Sequence, residues 1–152
     1  HTFRQSAYLV RHRLWPHVSD ASLVELHTDL LASHVLATGV VGYQGYRDAA
    51  WSRVQRKLIK AGRRPELVMD EWALFDAHRY LALHYLFNDW HQKLGDGRWQ
   101  DLAAHYLEQF EAEWSTLVFS YDADLDGTVS ASEKQSASPT IFMSGANMGW
   151  PW

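Results

Sequence analysis

Twelve residues near the end of the chain, Asp122-Ala-Asp-Leu-Asp-Gly-Thr-Val-Ser-Ala-Ser-Glu133, have the types and spacing for calcium chemistry. Acidic groups stand at loop positions 1, 3, 5 and 12 and a glycine at position 6, the pattern of an EF-hand loop. Ca²⁺ is a hard cation that takes six to eight oxygens. Asp122, Asp124 and Asp126 would supply carboxylates, Thr128 its backbone carbonyl, Ser130 a direct or water-mediated oxygen, and Glu133 a bidentate carboxylate. Gly127 permits the sharp turn between them. The same residues also suit an Asx-rich turn that binds nothing, because Asp and Gly favour turns for local reasons.

Sensor EF-hands have a second helix leaving the loop. Here Lys134-Gln-Ser-Ala-Ser-Pro139 follows, with room for one turn before Pro139 stops it. The chain contains no second loop of this kind. A structural calcium clip is therefore expected in preference to a calcium switch.

Four helices are predicted to position this loop, which makes the expected fold class all-α: a small helical bundle with an extended N-terminal arm and an irregular C-terminal tail. The arm is residues 1–18, the helical domain 19–133 and the tail 134–152. Ser19 or Asp20 caps the first helix, in which Leu23, Leu26, Leu30, Leu31 and Val35 keep a helical period as far as Gly39. The second runs from about Arg47 to Ala61, with Ala50, Trp51, Val54, Leu58 and Ile59 on its apolar side. Asp70 caps a third, about Glu71 to Leu94, whose apolar residues include Trp72, Phe75, Leu81, Leu86 and Trp90 and spread over much of its circumference. Gly95-Asp-Gly97 turns the chain into a fourth helix, about Arg98 to Tyr121. Leu102, Tyr106, Phe110, Trp114 and Leu117 line its main stripe, widened by Ala103, Leu107 and Val118. This helix is expected to lead straight into the loop.

The 152 residues suffice for one domain with a real core, and eight Trp, seven Tyr and six Phe point to large aromatic contacts. The absence of cysteine excludes disulfides and thiolate metal sites. No apolar run approaches the ~18 residues of a membrane helix, so no membrane partner is expected. The chain opens on His1, as a trimmed or processed product would. Its net charge of −4 is unevenly divided. Residues 1–64 hold ten Lys/Arg against four acids, and residues 65–152 hold four against fourteen. Such poles suit either two solvated faces or head-to-tail assembly. On the second helix Arg53, Arg56, Lys57 and Lys60, extended by Arg63 and Arg64, form a basic patch. A solvated face accounts for it without specific DNA reading, and nonspecific proximity to DNA stays compatible with it. Phe3, Tyr8 and Trp15 in the arm and Phe142, Trp150 and Trp152 in the tail are the residues expected to dock on partners.

Catalytic signatures are missing. The sequence has no Gly-x-Ser-x-Gly elbow, P-loop or Gly-x-Gly-x-x-Gly. His84, Asn88 and His91 could share a helix face, yet no His-Glu-x-x-His pattern accompanies them, and a zinc site would need further ligands. The expectation is a chain that is not an enzyme.

The joint order of features carries a resemblance. It runs Asp48-Ala-Ala-Trp-x-x-Val-Gln-x-x-Leu58, Gly62-x-x-Pro-Glu-Leu67, Leu74-x-x-x-His78-x-x-x-Ala82-Leu-x-Tyr-Leu-Phe-Asn-Asp89, Asp96-Gly-Arg-Trp99, Tyr106, Trp114 and the Asp-x-Asp-x-Asp-Gly loop. Over about residues 46–133 this resembles the small helical head–tail connector proteins (adaptor or neck proteins) of tailed bacteriophages. The resemblance implies a virion structural protein of the neck, between capsid and tail. Such a protein forms a homo-oligomeric, dodecameric ring beneath the portal protein, lines the DNA passage and presents a surface to the next neck or tail protein. The other reading left open is a calcium-dependent helical protein-binding module outside a virion.

Overall fold

The computed structural model describes residues 14–31, 42–123 and 134–136, and the fold over them is all-α with four helices. They are α1 (Asp20–Leu26), α2 (Gln44–Lys60), α3 (Phe75–Leu94) and α4 (Gly97–Thr116). A two-stranded antiparallel ribbon, β1 (Val118–Ser120) with β2 (Lys134–Ser136), follows them.

The α3–α4 hairpin forms the centre. Gly95 ends α3 in the left-handed region, φ 69°, where its N–H donates to the His91 carbonyl at 2.9 Å. The Asp96 carboxylate then accepts from the Arg98 N–H at 2.9 Å and caps α4. Between the two helices lies an aromatic cluster. Phe87 is fully buried and stacks on Trp99 and Tyr106, with ring centroids 5.6 Å away in both cases, while Trp90 meets it edge-on at 5.5 Å. Trp90 and Trp99 make a second edge contact at 4.9 Å. α2 closes the other side of α3 through Ala50, Trp51, Val54 and Leu58, all buried.

One polar junction joins α1 to α2. The Arg47 Nη1 donates to the Val18 carbonyl at 2.8 Å, and its Nε lies 2.8 Å from Asp20 Oδ1 as an ion pair without hydrogen-bond alignment. The other Asp20 oxygen accepts from the Tyr43 N–H at 3.1 Å. Gly42 precedes this contact at φ 87°, and a β-carbon there would fall 2.3 Å from Asp20 Oδ2, so both backbone and space require glycine. The end of the N-terminal arm docks on the chain's own helices: Leu14 and Val18 are buried, and His17 stacks on Trp72 at 4.3 Å while its Nε2 pairs with Glu71 at 2.6 Å.

Four helix boundaries differ from expectation, and the first is that α2 begins at Gln44, three residues before the expected Arg47. α1 stops at Leu26, because His27 turns extended (φ −144°, ψ 95°) and lays its ring 4.9 Å from Phe87; a short 3-10 turn, Thr28–Leu31, follows. The expected continuation to Gly39 lies outside the described residues. α3 begins at Phe75 after a 3-10 turn, Trp72–Leu74, whose Ala73 N–H is held by the Asp70 carboxylate at 3.2 Å. α4 ends at Thr116, five residues before Tyr121. The Ser115 and Thr116 hydroxyls bond the carbonyls of Ala112 and Glu113 at its end. Leu117, Phe119 and Tyr121 are then buried in alternation with the exposed Val118, which is strand period and not helix period. Ile59, Trp72, Leu107 and Val118, assigned to apolar stripes above, are exposed by 59%, 64%, 38% and 55%.

Candidate functional site

The calcium-type loop is reached through strand, not helix. β1 pairs with β2 in the register Val118↔Ser136, Phe119↔Gln135 and Ser120↔Lys134. The connector after α2 joins on the other side: the Met69 N–H donates to the Ser120 carbonyl at 2.9 Å, Val68 bridges to Tyr121, and the Asp122 N–H donates to the Leu67 carbonyl at 2.9 Å. Tyr121 is pinned as well, since its hydroxyl accepts from the Arg64 N–H at 3.1 Å and the Arg63 guanidinium lies 5.7 Å from its ring centre. Asp122, the first of the candidate calcium ligands, is consequently buried and held by its backbone. Asp124, Asp126, Gly127, Thr128, Ser130 and Glu133 lie outside the described residues. The Ser120↔Lys134 pair brings together two residues that flank the 122–133 segment, one two positions before Asp122 and the other directly after position 133. The expectation that α4 plays the entering helix is corrected: the entering element is β1.

The basic patch divides. Lys57 spans to α4, pairing with Glu111 at 2.5 Å and lying over the rings of Phe110 (4.6 Å) and Trp114 (5.1 Å). Arg63 packs on Tyr121, and Arg64 binds Glu66 through Nη2 at 2.8 Å. These three serve the fold. Arg53, Arg56 and Lys60 stay exposed and have no ion pair among the described residues; Arg56 donates only to the Ser52 carbonyl of its own helix, at 3.1 Å.

The histidines act as helix ties. His84 Nδ1 donates across the hairpin to the Ala103 carbonyl at 2.8 Å, and His91 Nδ1 donates to the Asp96 carbonyl at 3.1 Å. His78 is buried against Trp51, with its Nε2 donating to the Arg47 carbonyl at 2.8 Å; burial holds its pKa down at about 4. Tyr46 donates to Asp89, which also receives Lys93 at 2.6 Å. Burial and then the Asp89 bond push the Tyr46 hydroxyl up. Burial works against the Asp89 carboxylate, but the bonds from Lys93 and Tyr46 outweigh it and keep its pKa below the ordinary range. Among the described residues no three His, Asp or Glu side chains converge on a common point where a metal could bind.

Trp15, the one described member of the expected docking set, is 53% exposed. With Leu14 and Pro16 it forms one wall of an open pocket of about 310 Å³, opposite Asp48, Trp51 and Gln55 of α2. Phe3, Tyr8, Phe142, Trp150 and Trp152 lie outside the described residues. No helix among the described residues is long and apolar enough to cross a membrane. No family model matches the chain, and neither a curated protein nor a solved structure matches it.

Proposed function

We propose that this protein is a structural adaptor of a tailed-phage neck, a subunit of a ring that joins the portal to the next neck or tail component and surrounds the DNA passage. The proposal starts from the ordered resemblance over residues 46–133. The observation that carries it is the disposition of exposed charge: α2 offers Arg53, Arg56 and Lys60 to solvent, while α4 offers Asp101 and Glu108. A subunit with opposite charge on separate rigid helices is suited to repeated side-by-side contact. Trp15 and Trp72, each more than half exposed, add apolar surface of the kind that docks on a partner. Negative-stain electron microscopy of the chain mixed with the portal protein of the same genome should show a ring seated on the portal. A chain that remains monomeric and unbound in that mixture would remove the adaptor reading.

Within this function the loop acts as a clip. Ca²⁺ held by Asp122, Asp124, Asp126, Thr128, Ser130 and Glu133 would lock the end of the β1–β2 ribbon and fix the direction in which the tail leaves. The pairing of β1 with β2 on either side of the 122–133 segment supports this. Titration calorimetry should give a Ca²⁺ binding isotherm that Asp122→Ala and Glu133→Gln each weaken by more than about tenfold. No heat at millimolar Ca²⁺ would leave a plain turn.

A further inference from the structure

We infer that α2 of one copy docks antiparallel on the outer face of α4 of a second copy, with Arg53 facing Glu108 and Lys60 facing Asp101. This deepens the adaptor reading and rests on it for its biological setting. Arg53 and Lys60 are seven residues apart, as are Asp101 and Glu108, so each pair spans about 10 Å along one helix face. Opposed antiparallel, the two rows meet charge to charge. The exposed faces are also uniform in sign. From Ser52 to Lys60 α2 carries no acid, and from Gln100 to Ser115 α4 carries no Lys or Arg. Between Asp101 and Glu108, and one turn beyond, α4 exposes Ala104, His105 and Ala112 on this row, and none of them adds a positive side chain of Lys or Arg type. Each contact uses different surfaces on the two copies, leaving one α4 and one α2 free to continue; such a heterologous contact closes into a ring when its rotation allows.

The test uses full-length chain and two double variants, Arg53→Glu with Lys60→Glu, and Asp101→Lys with Glu108→Lys. All four positions are exposed, and thermal melting verifies that each variant folds. In sedimentation velocity at low ionic strength the unaltered chain should self-associate, and high salt should disperse it. Each variant alone should associate on the order of a hundredfold more weakly, and mixing the two should restore association. The milder Arg53→Gln with Lys60→Gln should give an intermediate loss. An unaltered chain that stays monomeric at low salt, variants that associate as well as it does, or folded variants that ignore each other on mixing would each overturn the pairing. The portal experiment judges the adaptor reading separately. A ring built normally by a charge-reversed variant keeps that reading and discards this contact. Absence of any ring discards that reading, and sedimentation still decides the contact.

Discussion

Truncating Phe87 to alanine should lower the unfolding free energy by about 3–5 kcal/mol, the range for removing a fully buried aromatic ring. Phe87 is the hub of the hairpin: Trp90 and Trp99 touch it from α3 and α4, Tyr106 stacks on it two turns further along α4, and His27 reaches it from the end of α1. The void would open between rigid ring systems that cannot collapse into it, which places the cost toward the upper end of that range. Domains of this size are stable by only about 5–15 kcal/mol, so the midpoint of a urea titration should fall by a large fraction. Leu107→Ala, at an exposed position on α4, is the control and should cost under about 0.5 kcal/mol. Comparable losses for the two variants would show that the hub does not dominate the core.

His78 should make the fold acid-sensitive. Its pKa is held down at about 4, first by burial, so the folded chain keeps the ring neutral while the unfolded chain titrates it near its ordinary 6.5. The unfolded state therefore binds the extra proton between these two values. The contribution is fully present above pH ~6.5, is lost as pH falls from there, and levels off below pH ~4, a total of about 3 kcal/mol. Arg47 bears on the balance in two ways: its carbonyl accepts the Nε2 proton and favours the cation, while its own charge opposes it. Urea titrations at several pH values between 7 and 4 should show this slope in the parent chain. His78→Gln, which keeps a donor for the Arg47 carbonyl, should lose stability uniformly and remove most of the slope. An unchanged slope in that variant would assign the acid sensitivity to the carboxylates.

Several elements were legible because a local rule agreed with the long-range packing. Gly95-Asp-Gly97 reads as a helix stop followed by a cap, and the left-handed Gly95 and the Asp96 cap are both present. The buried residues Ala50, Trp51, Val54 and Leu58 follow the helical period of α2 directly. The misplaced boundaries occur where two periods overlap. Phe110, Trp114 and Leu117 continue a helical stripe, but Leu117, Phe119 and Tyr121 alternate as a strand, and the same leucine fits both. Pairing with β2 and with Leu67–Met69 decides for the strand, because it satisfies backbone groups that a freely ending helix would leave open. His27 is comparable: the helical period runs through it, yet its backbone turns extended and its ring lies against Phe87.

By itself, the sequence determined the four-helix, all-α class, the hairpin turn, the aromatic content of the core and the identity of six candidate calcium ligands, because each depends on residue type and short-range spacing. Only the tertiary structure decided which charges remain available. Lys57, Arg63 and Arg64 are drawn onto Glu111, Tyr121 and Glu66, leaving Arg53, Arg56 and Lys60 exposed. It also decided that the 122–133 segment is entered from a strand, β1, which pairs with β2 on the segment's far side. Both outcomes are set by contacts between residues far apart in the chain, whose partners no local pattern specifies.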